Sequence, residues 1–222
     1  MKLSEHTVEV LKNFATINQN LVIKEGNTLT TMSAMKNIVA KAEVSESFER
    51  EVAIYDLNEF LASLSLFKSP VLEFDESFVT IKEENTTTSL KYFYSDPSVV
   101  TTPSKTINMP SKEVTFALKG EDLTKLKRAA GVIGAPDLVL EKKDTGSFLT
   151  VKDKKNDTAN TYSLDVTTTS EGNFNCFFTV ENLKVMDGNY DVEISSKNIS
   201  HLSSSNKDVE YWVALEPEST YE

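Results

Sequence analysis

The chain has 222 residues, with 34 Asp and Glu against 23 Lys and Arg, which gives a formal net charge of −11 at pH 7. This length accommodates one or two domains, and 39% hydrophobic and 26% charged residues are typical of a globular protein rather than a disordered or fibrous one. The acidity argues against a protein that coats nucleic acid, because affinity for phosphate normally comes from a basic surface.

Other classes of protein are excluded by simple counts. The single cysteine, Cys176, excludes an intrachain disulfide and a thiolate zinc site and fits a reducing compartment. Glu5 and Glu9 interrupt the apolar run that a signal peptide needs, and no apolar stretch approaches the roughly 20 residues that cross a bilayer. We therefore expect an intracellular protein with no membrane partner.

Two predicted helices divide the first half of the chain. Ser4 is a predicted N-cap, and Val10 and Phe14 fall on one face of the helix that follows. Asp56 is the predicted acidic N-cap of a second helix that extends towards Phe67. Strand-like runs fall at 21–23, 28–32, 37–44, 48–55, 71–74, 78–82 and 86–94.

The second half repeats this order. A strand over 114–118 precedes a third helix that opens at Glu121 and ends near Gly134, and three strand-like runs follow as far as Val166. A strand over 176–179 precedes a predicted fourth helix that opens at Glu181. Further strands are predicted at 190–194 and 209–215, and Ser203–Ser205 is predicted to be a loop.

The segment Ser95–Lys112 holds three of the six prolines and predicts an extended connector. We therefore expect two domains, 1–105 and 106–222, with the connector at about 95–112. Two helices in each half can cover one face of an antiparallel sheet, so the pattern predicts an α+β protein. Periodicity alone fits any pair of α+β domains.

No catalytic motif occurs in the sequence. The phosphate-binding patterns GxxxxGK[ST] and GxGxxG are absent, and His6 and His201 lie in unrelated contexts in which each is expected to be exposed or at a helix end. We therefore expect a protein without a metal, a cofactor or enzymatic activity. A pair of carboxylates acting as general acid and base is the remaining enzymatic alternative, since 34 carboxylates are present.

The third helix has a basic outer face. At about 100° per residue, Lys125 and Arg128 lie opposite Leu123. Lys119 precedes the helix and Lys127 lies on its flank. This face is either a surface that meets an anionic partner or an ordinary solvated helix face.

The amino-acid sequence resembles that of the sliding clamp of T-even-type bacteriophages, the counterpart of the proliferating cell nuclear antigen and of the bacterial polymerase β clamp. The resemblance runs in the same order from the first residues to the last. It is carried by MKLSEHTVEVLKNFATIN at 1–18, VAIYDLNEFLASLSL at 52–66, DPSVVTTPSKTI at 96–107, GEDLTKLKR at 120–128, MDGNY at 186–190 and YWVALEPEST at 211–220.

The resemblance implies a closed ring of three subunits around duplex DNA, each with two similar domains, with helices inside and antiparallel sheets outside. Such a ring has no catalytic activity. It tethers the replicative DNA polymerase, is loaded by a clamp loader ATPase, and activates late transcription with a sigma-type factor and a co-activator. It would act in the cytoplasm of the infected bacterial host.

By matching position, the resemblance also implies which residues face DNA. Glu5 stands where the family typically has a basic residue, and Glu9 shares the outer face of the first helix, so the lining is expected to be only mildly positive. The residues expected to face DNA are Lys12, Lys119, Lys125, Arg128 and Lys184.

Partners of such clamps insert a short apolar peptide beside the connector and the C-terminal strand. The alternative is that several of the matching residues only fasten the loop to the sheet. The residues expected at this site are Val99, Val100, Ile107, Met109, Ala214, Leu215 and Pro217.

Subunits are expected to join through edge strands, with Ser89–Tyr94 of one copy beside Thr161–Val166 of the next. The alternative to a clamp is a non-catalytic phage structural or assembly protein of α+β type, which need not form a closed trimer.

Overall fold

The computed structural model describes residues 1–103, 106–170 and 172–222. The chain divides into two compact units, Met1–Lys105 and Thr106–Glu222. Within the described ranges it forms three α-helices and sixteen β-strands. Of the predicted connector, Ser104 and Lys105 lie outside the described residues.

The first unit combines two helices with seven strands. Strands β1 and β4 pair with each other, β2 pairs with β3, and β5, β6 and β7 form a three-stranded meander, all antiparallel. The elements are α1 Glu5–Ile17, β1 Leu21–Ile23, β2 Gly26–Met32, β3 Ile38–Phe48, β4 Val52–Ile54, α2 Leu57–Ser65, β5 Pro70–Phe74, β6 Phe78–Glu83 and β7 Ser89–Phe93.

Helix α1 forms where the sequence predicts it. The Ser4 hydroxyl accepts a hydrogen bond from the Thr7 N–H, which satisfies one of the unpaired donors of the first turn. Val10, Leu11 and Phe14 are fully buried, as their spacing of three and four residues requires. The burial of this stripe fixes which face of α1 remains exposed.

Helix α2 is stabilised at its N-terminus by a cap and on its buried side by an aromatic contact. Asp56 caps it by accepting hydrogen bonds from the N–H groups of Asn58 and Glu59. On the inner side, the rings of Phe60 and Tyr92 pack in a T-shaped arrangement with centroids 5.3 Å apart, and the Tyr92 hydroxyl donates to the Asp56 carbonyl. These contacts hold α2 against strand β7.

Strand β3 supplies a second acceptor for the start of α1. Glu46 accepts hydrogen bonds from the Ser4 N–H and from the Thr7 hydroxyl. Burial opposes ionisation of this carboxyl, but the bonds from Thr7 and Ser4 outweigh it and lower the pKa of Glu46. A charged acceptor at a helix N-terminus is also favoured by the helix dipole.

We expect Glu46→Gln to lower the free energy of unfolding by about 1–2 kcal/mol at pH 7, because an ionised acceptor of two hydrogen bonds is lost. Since the pKa of Glu46 is lower in the folded chain, its stabilisation is complete above the ordinary value of 4.5 and is lost as the pH falls through the folded value. Urea unfolding of both proteins at pH 7 and at acid pH, at one protein concentration, measures the difference.

The matched control is Glu43→Gln on the same strand. The Glu43 carboxylate is exposed and lies 3.9 Å from the Lys41 ammonium, so its loss should change the free energy of unfolding by less than about 0.5 kcal/mol. Equal losses in the two variants would contradict the role given to Glu46.

The second unit combines one α-helix with nine strands. One sheet has the order β11-β10-β9-β12-β16, and strands β8, β13, β14 and β15 pair in sequence as β8-β13-β14-β15. The elements are β8 Val114–Leu118, α3 Gly120–Ile133, β9 Asp137–Lys143, β10 Gly146–Lys152, β11 Tyr162–Val166, β12 Phe174–Thr179, β13 Tyr190–Ser195, β14 Ile199–Ser204, β15 Val209–Ala214 and β16 Thr220–Tyr221.

Helix α3 buries Leu123, Leu126 and Ala130 on one stripe. It ends at Gly134, whose φ of 66° is the left-handed conformation that glycine adopts without strain. The exposed residues of α3 therefore lie on the stripe opposite Leu123, as the helical phase predicts.

The predicted fourth helix is wrong. Val180–Asn182 forms a single 3-10 turn, and only residues 180–189 separate β12 from β13. The backbone beyond the turn bonds to other elements, since the Met186 N–H donates to the Tyr211 hydroxyl and the Val185 carbonyl accepts from Lys127 Nζ. The α+β class is confirmed, but the described residues of the second unit form one α-helix instead of two.

Two strand predictions also need correction. The predicted strand 48–55 divides, because β3 ends at Phe48 and β4 begins at Val52. Ser203 and Ser204, predicted to lie in a loop, belong to β14. This strand tolerates serine because its inward hydroxyl is satisfied, with Ser200 donating to the Val213 carbonyl.

Candidate functional site

The exposed face of α3 carries the cations that the sequence singles out. Arg128 is exposed, and its guanidinium forms no hydrogen bond or ion pair with any described residue. Lys125 Nζ lies 3.1 Å from Asp122 and 3.9 Å from Glu121, and the hydrogen bond to Asp122 raises the pKa of Lys125. Arg128 is thus free to meet an anion, whereas Lys125 is partly neutralised by its own helix.

The carboxylates beside Lys125 were missed at the level of sequence. Their spacing was a usable signal, because Glu121 and Asp122 precede Lys125 by four and three residues and such pairs share a helix face. The α3 face therefore carries less effective positive charge than its lysine and arginine residues alone suggest.

The remaining predicted cations of the second unit differ in exposure. Lys119 is exposed at the N-cap position of α3, whereas Lys184 is half-buried and interacts with a neighbouring group. Lys127 Nζ donates to the Val185 carbonyl at 3.1 Å, and burial lowers the pKa of Lys127. Lys127 therefore fastens α3 to the segment before β13 and does not belong to the exposed face.

The exposed faces of the two helices in the first unit are not basic. Lys12 is exposed on α1, but Glu5 and Glu9 are exposed on the same stripe. The exposed residues of α2 opposite its core include the uncharged Ala62 and the carboxylate of Glu59, so this face is not neutral as the sequence predicted. Of the predicted DNA-facing residues, this unit contributes Lys12 alone.

The two valines predicted for peptide docking in the first unit separate. Val99 is 59% exposed, whereas Val100 is 7% exposed and packs with Val22 and Ala53. Val100 thus fastens the start of the connector to its own unit, and Val99 is the member available to a partner.

The docking residues predicted in the second unit also differ in exposure. Ile107, Met109 and Ala214 are half-buried and Pro217 is exposed, but Leu215 is buried. The chain beyond Ala214 is held by backbone bonds, including Leu215 N–H to the Asn198 carbonyl and Glu216 N–H to the Phe177 carbonyl. Because Leu215 is buried, it could stabilise this segment but could not itself contact a partner peptide.

Lys154 reinforces the same C-terminal segment. Its ammonium lies 2.6 Å from Glu218, 3.4 Å from Asp137 and 3.8 Å from Glu216. The hydrogen bond to Glu218 and the charges of the three carboxylates outweigh burial and raise the pKa of Lys154. The ammonium thus joins the loop after β10 to the residues around Pro217.

In the part of the chain that the structure describes, strands β7 and β11 are edge strands, each with a single strand partner. Strand β7 bonds only to β6, and strand β11 bonds only to β10. Both alternate between exposed and half-buried side chains. Such edges are open to pairing with another chain.

His201 and Cys176 belong to the side-chain types that catalytic and metal sites use. His201 is half-buried on β14, stacked on Trp212 with ring centroids 4.8 Å apart, and its Nε2 lies 2.9 Å from Glu210, so it is neither exposed nor at a helix end as predicted. Burial raises the pKa of the Cys176 thiol to about 12, which keeps it protonated. Among the described residues, no group of three His, Cys, Asp or Glu is placed to hold a metal ion.

No helix within the described ranges combines the length and the apolar character needed to cross a bilayer.

Solved structures define the class of fold. The chain aligns with the PCNA2–PCNA3 complex from Sulfolobus tokodaii at a TM-score of 0.68 and 12% identity, covering 95% of this chain and 96% of that one. Proliferating Cellular Nuclear Antigen from Entamoeba histolytica gives 0.67 and 13%, with 95% of each chain covered. A. fulgidus PCNA bound to the C-terminal region of FEN-1 gives 0.69 and 14%, with 96% of each covered. The fold is that of the PCNA-like DNA clamps.

Sequence comparison gives the family. Residues 2–102 match the model of the DNA polymerase processivity factor, and residues 115–217 match that of the C-terminal gp45 sliding clamp. The chain is 34% identical to the sliding clamp of Vibrio phage KVP40 over 97% of this chain and 99% of that protein. It is 31% identical to the sliding clamps of Escherichia phage RB69 and Enterobacteria phage T4, over the full length of each pair. The chain belongs to the phage sliding-clamp family of DNA polymerase processivity factors, which confirms the resemblance.

Proposed function

We propose that three copies of the chain close into a ring around duplex DNA and hold the replicative DNA polymerase on its template, without catalytic activity of their own. The charge distribution carries this proposal: in a chain of net charge −11, Lys119, Lys125 and Arg128 are exposed together on and beside one helix. A ring retains DNA by topology, so a few sequence-independent phosphate contacts suffice and still allow sliding.

In this ring each unit, Met1–Lys105 and Thr106–Glu222, would act as one clamp domain with its helices towards the DNA. The proposed DNA-facing residues remain Lys12, Lys119, Lys125, Arg128 and Lys184. The free guanidinium of Arg128 makes it the strongest of these, since Lys125 has carboxylate neighbours and Lys184 is half-buried.

The open edges of β7 and β11 support the assembly. In the proposed ring, β7 of one copy pairs with β11 of the next, which extends the sheet across each junction and covers edges that would otherwise be open to aggregation. Three identical head-to-tail junctions close the ring.

Partner peptides would dock on apolar groups of the connector and the C-terminal segment. Exposed Val99 and Pro217, with the half-buried Ile107, Met109 and Ala214, are the groups that such a peptide could contact, supported by buried Val100 and Leu215. Apolar side chains of this kind suit a short apolar anchor inserted by a partner.

We further propose that a clamp loader ATPase opens and places the ring, because a closed ring cannot thread onto circular DNA unaided. We also propose that the ring activates late transcription through a sigma-type factor and a co-activator, in the cytoplasm of the infected bacterial host. The support is membership of a family whose named relatives here are sliding clamps of phages.

Retention on DNA tests the ring. Protein loaded on nicked circular duplex should stay bound through gel filtration and should be lost after a restriction enzyme linearises the circle, because only a topological link depends on the absence of DNA ends. Equal retention on circular and linear DNA would contradict the ring. It would favour a protein that binds DNA without encircling it, as the alternative of a phage structural or assembly protein allows.

A further inference from the structure

We propose that the exposed face of α1 repels the duplex, so that the α3 face carries DNA binding and the carboxylates of Glu5 and Glu9 keep that binding weak. This inference rests on the proposed function, because it requires the helix faces to line the hole of the ring. It assigns a role to Glu5, which stands where a cation is expected, and to Glu9 on the same face.

The arrangement on α1 follows from helical geometry. Glu5, Glu9 and Lys12 are separated by four and three residues, which places them within about 60° on one stripe. All three are exposed, and the opposite stripe is buried through Val10 and Phe14. The stripe therefore presents two carboxylates against one ammonium.

On α3, the same count of exposed charges gives a net positive charge. Lys119, Lys125 and Arg128 outnumber the carboxylates of Glu121 and Asp122, and Arg128 pairs with neither. Helix α2 contributes no net attraction, because the charged residue on its exposed face is Glu59, a carboxylate. Attraction for phosphate is thus concentrated on one of the three helices.

The carboxylates also weaken the one cation of α1. Lys12 lies one helical turn from Glu9, within the distance of about 10 Å over which charges act at ordinary salt. A phosphate that approaches Lys12 meets the negative potential of Glu9 and, one turn further, that of Glu5. Removing both carboxylates should let Lys12 contact phosphate.

The test is binding of a fluorescent 30-base-pair linear duplex, which can enter a closed ring without a loader, measured by anisotropy from 50 to 200 mM salt. Glu5→Gln with Glu9→Gln should bind about tenfold more tightly at 50 mM salt. The slope of log K against log salt should steepen by about one for each subunit, as one phosphate contact is gained.

The control is Glu49→Gln with Glu51→Gln, which makes the same charge change at exposed positions outside the helices and should stay within about twofold of the native protein. Glu5 lies in the first turn of α1, where its charge favours the helix, so Glu9→Gln alone is measured as well and should show part of the gain. Equal binding by the Glu5/Glu9 variant and the control would overturn the inference.

Arg128→Ala separates this inference from the proposed function. Weaker binding by Arg128→Ala together with no gain from the Glu5 and Glu9 changes would overturn the role of α1 and leave the DNA ring intact. Native binding by Arg128→Ala would remove the basic α3 face from DNA binding and would overturn this inference, whereas the ring itself is tested by retention on circular DNA.

Discussion

Reversing the charge of Lys125 and Arg128 together is expected to reduce clamp-dependent DNA synthesis at least tenfold while trimers still form. Each subunit exchanges two positive charges for two negative ones on the helix that we propose meets DNA, so attraction becomes repulsion at three places in the ring. Both side chains are exposed and neither packs in the core, which leaves the fold unaffected. Primer extension on a circular template, with the loader and the polymerase present, measures the loss.

Single substitutions resolve the two contributions. Arg128→Ala should cost more than Lys125→Ala, because Lys125 is already paired with Asp122 and Glu121. The control for net charge is Lys155→Glu with Lys197→Glu, exposed lysines outside α3 that should leave synthesis within about twofold of native. Full synthesis by the Lys125/Arg128 variant would remove the DNA-facing assignment of α3.

Local patterns predicted α1, α2 and α3 correctly because the signals of these helices are short in range. The phase of Val10 and Phe14 in α1, and of Leu123 and Ala130 in α3, depends only on 3.6 residues per turn, and these side chains are buried. The N-cap at Ser4 likewise depends on a hydroxyl and an N–H three residues apart. The family resemblance then supplied the fold that periodicity left open.

What the sequence could not supply depends on contacts between distant residues. The turn at Glu181 has a helical start signal, but the buried Met186 N–H bonds to the Tyr211 hydroxyl and the chain must enter β13 within a few residues. Glu46 binds the start of α1 from 42 residues away, and no local pattern indicates it. Tertiary contacts overrode or supplemented local propensity at both places.

The candidate site shows the same division. Helical phase placed Lys125 and Arg128 on the exposed face correctly, whereas the exposure of each connector residue required the tertiary packing. Val99 and Val100 are adjacent and chemically identical, yet one is 59% exposed and the other 7%. Val100 is buried by its contact with Val22 and Ala53 and fastens the chain, whereas Val99 is open to partners.

The proposed junction, in which β7 of one copy pairs with β11 of the next, admits a specific register. On β7, Leu90 and Tyr92 face the same side as the buried β6 residues with which they pair. On β11, Leu164 pairs with buried Leu149 and thus faces the core side of its own sheet, as does Val166. Antiparallel pairing with Tyr92 opposite Leu164 and Leu90 opposite Val166 keeps apolar side chains together.

This register also pairs opposite charges on the outer face. It sets Lys91 of one copy opposite Asp165 of the next, and both are exposed in the single chain. Lys91 Nζ lies 4.3 Å from the centre of the Phe78 ring, which holds the ammonium over the outer face of its sheet. A shift by two residues would keep the apolar contact but would lose the charge pair, so Lys91 and Asp165 select the register.

Charge exchange at this pair tests both the junction and the register. Lys91→Asp and Asp165→Lys should each raise the concentration at which trimers dissociate by about tenfold or more, because like charges then face each other at three junctions. The two changes in one chain should restore assembly to within about threefold of native. Sedimentation over a range of protein concentrations measures the dissociation, and Asp144→Lys, at an exposed turn, is the control.

Mixing the two single variants distinguishes a ring of three from an even-numbered ring. A junction between unlike variants pairs opposite charges, whichever variant supplies β7. A closed ring with an odd number of subunits always contains at least one junction between two copies of the same variant, so the mixture should assemble less well than the chain that carries both changes. Full recovery in the mixture would contradict the closed trimer, and no recovery in the double variant would contradict the pairing of Lys91 with Asp165.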